Sequence, residues 1–293
     1  MCALFGIIDH KNQWSKKQKG KMIRALSQAS EVRGTDATGI AYCLKNRIII
    51  SKTAKPAHKC HFYIPQTPVI LGHTRMTTQG SEKHNYNNHP FRGFAERSFA
   101  LAHNGVIWND SALRSNHYLP QTKIQTDSYV IVQLIERYGL DQLPYVAEQL
   151  MGSFTITLLD DSGAWTCIKG DNPMYICRIG EVYIYASTKA IVEQAFAEFG
   201  IVAEEVINIQ SGEILTILPD GMTREVFDFT HSQARYWDDD MWDDPYITDE
   251  SYDELRSMSS YFGYEPEDID TLIDHGCTYD EIVDYLYYGG KIV

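Results

Sequence analysis

Short runs rich in β-branched and aromatic residues, each closed by Gly, Asn, Asp or Pro, recur along the chain as far as about residue 230. The runs ALFGII from Ala3, GIAYCL from Gly39, RIIIS from Arg47, PVILGHTRM from Pro68 and FALAHNGVI from Phe99 predict strands, as do SFTITLLDD from Ser153, AWTCIKG from Ala164, VYIYAS from Val182 and EILTILPDG from Glu213. Apolar residues near a 3.6-residue spacing predict helices from Lys16 to about Val32, from Asp127 to Tyr138 and from Thr188 to Phe199. Many strands and few helices point to sheets covered by helices.

The pattern breaks near His231. Residues 231–250, HSQARYWDDDMWDDPYITDE, carry too many like charges for a strand or a core helix and read as an extended acidic linker. Beyond it, Ser251 with Glu254 and Thr278 with Glu281 form two S/T-x-x-E capping boxes, and Gly263, Gly276 and Gly289 stand where helix C-caps belong. Three short helices are expected over 251–293, with Leu255, Met258, Phe262, Ile269, Leu272, Ile273, Ile282, Val283 and Leu286 available for a small core. Seven tyrosines are left over, a residue enriched at protein interfaces. The expected organisation is a domain at 2–230, the linker, and a small C-terminal helical module.

Composition narrows the function classes. At 44% hydrophobic residues the 293-residue chain can fill a core, while a formal charge of −13 argues against binding a nucleic-acid phosphate backbone. No stretch nears the roughly 20 apolar residues of a membrane span, and no secretory signal opens the chain, so membrane association is not expected. The six cysteines form no CxxC pair, which fits a reduced compartment and a cytoplasmic protein. His73, His84, His89 and His103 match no compact metal-ligand spacing, so no metal and no cofactor are expected.

The chemistry begins at Cys2. A small residue after the initiator Met allows Met1 to be trimmed, which would leave Cys2 with a free α-amino group. Such a group has a pKa of about 7.7–8.0 and can take the thiol proton and later return it to a departing amine. By itself, a Cys before a strand is more often a small buried hydrophobe.

The context changes that reading. MCALFGI, RGTDATGIA from Arg33, LGHTRMTTQG from Leu71, NHP at Asn88, AHNGVIWN from Ala102 and TDSYVI from Thr126 follow one another in an order and spacing that resemble class II glutamine amidotransferases. This glutaminase domain is shared by glucosamine-6-phosphate synthase and the amidotransferase that begins purine synthesis. The resemblance implies an α+β fold, a four-layer α-β-β-α Ntn-hydrolase sandwich, over residues 2 to about 230. It implies Cys2 as nucleophile, with the Asn104 side-chain amide and the Gly105 backbone N–H as oxyanion hole. It also implies Arg75 on the α-carboxylate of L-glutamine, Asp127 on its α-ammonium, and Thr78 and Arg33, with Gly34, as the wall of the site.

Met76, Gln79 and Tyr129 depart from the family pattern, which bears on fine tuning and on coupling to an acceptor. A separate synthase subunit is the expected ammonia-accepting partner, and self-association into a homo-oligomer stays open. Two alternatives are an Ntn-type hydrolase of another amide and a catalytically idle partner-binding subunit. Without the surrounding blocks, HNG would read as a hairpin turn, Arg75 as a surface cation and Asp127 as a helix N-terminal charge.

Overall fold

The first strand, β1 (Ala3–Ile8), is buried along its whole length, as a near-continuous apolar run requires when both faces are covered. In the computed structural model, the described residues are 2–229 together with 255, 256, 259, 264–274, 282 and 286. The chain divides into two compact units, Met1–Arg235 and Tyr236–Val293.

In the first unit β1 lies between β4 (Val69–Arg75) and β10 (Val182–Ala186), antiparallel to both. The other strands of this sheet are β2 (Ala37–Cys43), β3 (Ile48–Thr53), β9 (Tyr175–Ile179) and β11 (Glu205–Ile207), in the order β11-β9-β10-β1-β4-β2-β3. A second sheet has the order β13-β12-β8-β7-β6-β5. It is built from β5 (Phe91–Phe94), β6 (Ser98–Ile107), β7 (Gly152–Asp160), β8 (Trp165–Lys169), β12 (Glu213–Leu218) and β13 (Gly221–Val226).

Side-chain alternation then dictates the layers. Leu4, Ile8, Leu71, Ala100, Ala102, Leu159, Trp165 and Leu215 meet between the sheets. Phe5, Ile7 and Ile70 point outward under α1 (Lys16–Ala29) and α5 (Lys189–Ala197). Phe99, Leu101, Phe154 and Ile156 pack under α3 (Tyr129–Tyr138) and α4 (Leu143–Gln149), with Leu113 of α2 (Asp110–Asn116). The result is the α-β-β-α sandwich that the resemblance implies.

Local chemistry moved several boundaries. Helix α1 starts at a capping box, Ser15 with Gln18, and stops at Ala29 rather than near Val32. There Ser30 turns its hydroxyl onto the Leu26 carbonyl at 2.7 Å, and a 3-10 turn, Ser30–Arg33, follows. Helix α3 starts at Tyr129, two residues after Asp127, because the Asp127 carboxylate accepts from the Ile107 N–H at 2.7 Å instead of capping its own helix. The strands β5, β9, β11 and β13 and the helices α2 and α4 carry no strong periodic signal. Strand β13 is exposed at all six positions and is held through its ladder to β12.

A buried ion pair ties the far end of β1 to α1. Lys19 Nζ lies 3.0 Å from Asp9 Oδ2 with both side chains essentially inaccessible, and it also donates to the Thr67 carbonyl at 2.6 Å. Asp9 in turn accepts the N–H groups of Gln13 and Trp14.

In the second unit, α6 (Pro266–Asp274) contributes Ile269 to a buried cluster with Leu255, Ile282 and Leu286, against which Tyr264, Leu272 and Ile273 pack. The expected capping boxes, the three glycines, Met258, Phe262, Val283 and the linker 231–250 lie outside the described residues.

Candidate active site

The geometry of the site starts from a mismatch in strand length. Strand β5 pairs with β6 only over Ser98–Leu101, whereas β7 accompanies β6 to Ile107. Among the described residues, β6 therefore has a strand neighbour on one side only from Ala102 onward. Successive residues of a strand direct their backbone groups to opposite sides, so His103, Gly105 and Ile107 present theirs to the open edge. At one end of that edge the Ile107 N–H is taken by Asp127 Oδ2. At the other, His73 Nε2 lies 3.1 Å from the His103 carbonyl. The Gly105 N–H lies between these two capped positions and faces the opening. Gly105 adopts φ +130°, and a Cβ there would stand 1.8 Å from the Ser153 carbonyl oxygen, so only glycine fits.

Asn104 points the other way, into the space between the sheets. It is fully buried, and neither Nδ2 nor Oδ1 has a hydrogen-bond partner among the described residues. A buried amide left unsatisfied on both atoms is uncommon and costs on the order of 1–3 kcal/mol. This is the behaviour of a donor kept for a group that arrives later.

Cys2 directly precedes β1 and is half-buried. Leu4, two residues on, is held by Ser187, whose hydroxyl accepts the Leu4 N–H and whose N–H donates to the Leu4 carbonyl, both at 2.9 Å. Arg33 Nε donates to the Cys2 carbonyl at 2.9 Å, and Cys2 Sγ lies 3.4 Å from the Met76 carbonyl. Gly34 permits this approach, since a Cβ would stand 2.5 Å from the Arg75 carbonyl carbon. Burial pushes the Cys2 thiol up, with Arg75 drawing it down and Asp127 pushing it up. All three groups thus share one electrostatic neighbourhood.

Arg75, the last residue of β4, is buried, and burial lowers its basicity. Its guanidinium donates to Asn88 Oδ1 at 2.7 Å and to the carbonyls of Gln79 and Gly80 at 2.6 and 2.8 Å. All three acceptors are neutral, and no carboxylate among the described residues lies within ion-pair distance of it. Asp127 is likewise buried, with no cationic partner in that range among the described residues. Asn88 also lends its carbonyl to Lys52 Nζ, whose pKa burial and the neighbouring Arg75 push down to about 8.

Not every expected residue joins the cluster closely. Thr78 is exposed on the loop after β4 and makes no hydrogen bond among the described residues. Its neighbour Thr77 has a buried hydroxyl without a partner among the described residues, while the Thr77 N–H is held by Asp36 Oδ2 at 2.7 Å.

Comparison with known proteins identifies the family of the chain. A family described as "Glutamine amidotransferase domain" matches residues 57–246. Among curated proteins, the chain is 30% identical over 248 residues to the isomerizing glutamine–fructose-6-phosphate aminotransferase of Chlamydia muridarum, spanning 80% of this chain and 38% of that protein. It is 29% identical over 239 residues to the enzyme of the same name from Listeria monocytogenes, spanning 78% and 37%. The chain belongs to the class II glutamine amidotransferase family. Among solved structures, the glutamine phosphoribosylpyrophosphate amidotransferase of B. subtilis superimposes with a TM-score of 0.62 at 22% identity, covering 78% of this chain and 49% of that one. That likeness concerns the fold. The chain spans under two-fifths of the length of these two curated amidotransferase relatives.

For an amidotransferase of this class, the family match begins at residue 57 and leaves out both Cys2 and Arg33, whose placement rests on β1 and the 3-10 turn after α1. The sequence patterns gave no role to Asp36, Asn88 or Ser187 and raised His73 only as a metal ligand. Asp36, Asn88 and His73 lie within the blocks RGTDATGIA, NHP and LGHTRMTTQG. Ser187 and His73 act on the backbone of Leu4 and His103, contacts that no motif reveals. Among the described residues, no three His, Cys, Asp or Glu side chains converge as metal ligands, and no helix is long and apolar enough to cross a membrane.

Proposed function

We propose that this chain hydrolyses the side-chain amide of L-glutamine, with Cys2 as nucleophile after removal of Met1. The observation that carries the reading is the pair of buried charges, Arg75 and Asp127, each without an opposite partner in ion-pair range among the described residues and both acting on the Cys2 thiol. A buried cation and a buried anion held apart are costly unless a ligand supplies the complementary charges, and an amino-acid zwitterion does so. In this reading Arg75 takes the α-carboxylate, Asp127 the α-ammonium, and Arg33 and Thr78 line the wall.

The chemistry follows from the placement. The α-amino group of Cys2 accepts the thiol proton, and the thiolate adds to the γ-amide carbon. The carbonyl oxygen gains negative charge opposite Asn104 Nδ2 and the Gly105 N–H. As the tetrahedral adduct collapses, the amide nitrogen takes the proton and leaves as ammonia, with a glutamyl thioester on Cys2. Water then cleaves the thioester, giving glutamate and the free thiol.

Residues 2–230 form the amidotransferase domain, 231–250 the linker and 251–293 the helical module, which docks an ammonia-accepting synthase on a separate subunit. The leftover tyrosines support docking. Free cysteines at all five described positions suit a cytoplasmic setting.

Glutamate release by the protein whose first residue is verified by mass spectrometry as Cys2 tests the central claim. Cys2→Ala should abolish it without loss of fold, and undiminished activity in that variant would sink the mechanism. A chain truncated after about Thr230 should keep hydrolysis and lose co-purification with the synthase. Its aggregation, or retained partner binding, counts against docking.

A further inference from the structure

His73 sits on β4 facing the inter-sheet space, two residues before Arg75, and its ring packs against that of His89, tilted by 32° with centroids 4.2 Å apart. The ordinary reading is that His73 simply fills the core. Its ring hydrogen bond argues otherwise, because it ends on the carbonyl of His103, the oxygen of the peptide that joins His103 to Asn104. We propose that His73 is a positioning residue for the oxyanion donors, its Nε2–H clamping the open edge of β6 so that the Asn104 amide and the Gly105 N–H keep their aim. The inference deepens the glutaminase reading and rests on it.

Three observations converge. Strand β5 begins at Phe91, opposite Leu101, so among the described residues no strand supplies a donor for the His103 carbonyl, and a buried carbonyl needs one. The acceptor is a carbonyl oxygen, so Nε2 must carry the hydrogen, which selects one tautomer of a neutral ring. The neutral state is secured by burial, which with Arg75 and Lys52 nearby pushes the His73 pKa down to about 3 against the opposing pull of the His103 carbonyl. The edge is thereby pinned on both sides of Gly105, by Asp127 at Ile107 and by His73 at His103. One clamp belongs to the substrate grip. The other touches no substrate in the proposed mechanism, and its effect passes through the backbone alone.

Two substitutions separate positioning from filling. His73→Phe keeps the aromatic contact with His89 and removes the donor, whereas His73→Gln places an amide N–H near the lost Nε2–H. The expected result is a fall of about 10²-fold in kcat for His73→Phe, with KM for glutamine changed by less than about threefold, since the donors act on the transition state. His73→Gln should recover most of the loss. Should His73→Phe fail to fold, His73→Asn, too short to reach, is expected to lose kcat where His73→Gln does not. Equal activity of the two would then overturn the proposal.

Hydrogen–deuterium exchange over residues 102–107 gives a readout independent of turnover. It should quicken in the Phe or Asn variant and return toward wild type in the Gln variant. Unchanged exchange, unchanged kcat, or a loss confined to KM each overturns the positioning role. A wild-type protein with a verified Cys2 terminus that releases no glutamate would defeat the glutaminase reading, and the exchange measurement would still decide whether His73 holds the strand.

Discussion

Acidification should destabilise the first unit through its buried histidines. His73, His89 and His103 are 1%, 3% and 1% exposed, and burial lowers the pKa of each, to about 3 for His73 and well below the ordinary value for His89. Arg75 and Lys52 act in the same direction on the first two, whereas Asp127 opposes the shift at His103. Because the folded pKa lies below the unfolded one, the unfolded chain binds more protons between them. Stability is therefore full above the unfolded value of 6.5 and is lost as pH falls toward the folded value.

For His73 alone, moving from about pH 7 to about pH 5 costs roughly 2 kcal/mol, from RT ln of the ratio of unprotonated fractions in the two states. His89 and His103 add losses of the same sign. Against a typical total of about 5–15 kcal/mol this is a large share. Urea unfolding followed by far-UV circular dichroism at several pH values measures it directly, with His73→Gln as the comparison. The wild type should lose roughly 2 kcal/mol more than this variant over the interval. Parallel pH profiles for the two would show that His73 titrates normally in the fold and would refute the argument.

Other substitutions probe the separate roles. Asn104→Ala should lower kcat by about 10²–10³-fold with little change in KM for glutamine, whereas Arg75→Ala should chiefly raise KM; the opposite split in steady-state glutaminase kinetics would overturn both assignments. Asp127→Ala should raise KM and also quicken amide exchange at Ile107, whose N–H loses its acceptor. Gly105→Ala forces a Cβ to within 1.8 Å of the Ser153 oxygen at φ +130°, so a stability loss on the order of 3 kcal/mol is expected by chemical denaturation. Lys19→Met strands the buried Asp9 carboxylate and should cost about 3–5 kcal/mol, and an unchanged denaturation midpoint would show the pair to be dispensable.

Runs of β-branched and aromatic residues closed by turn residues were enough to locate β1, β2, β3, β4, β6, β7, β8, β10 and β12, because long runs with one or two buried faces leave a local signature in residue type. Ser15 and Gln18 likewise form the capping box that begins α1. The ordered blocks around Cys2, Arg75, Asn104 and Asp127 carried the family. Strand β13 escaped because an exposed edge strand needs no apolar pattern, and α3 began late because Asp127 found its partner across the fold rather than in its own first turn.

What only the tertiary structure decided is the availability of the donors. HNG reads as a turn in isolation, yet here it lies within β6, where the short β5 leaves one edge free. The Gly105 N–H is open because a neighbouring strand is short, and His73 reaches the His103 carbonyl across 30 residues of sequence and the gap between two sheets. Local sequence encodes which face a side chain takes, because that depends on the residue's own backbone. Which backbone groups remain unpaired depends on where a different strand stops, and that is settled only when the sheets assemble.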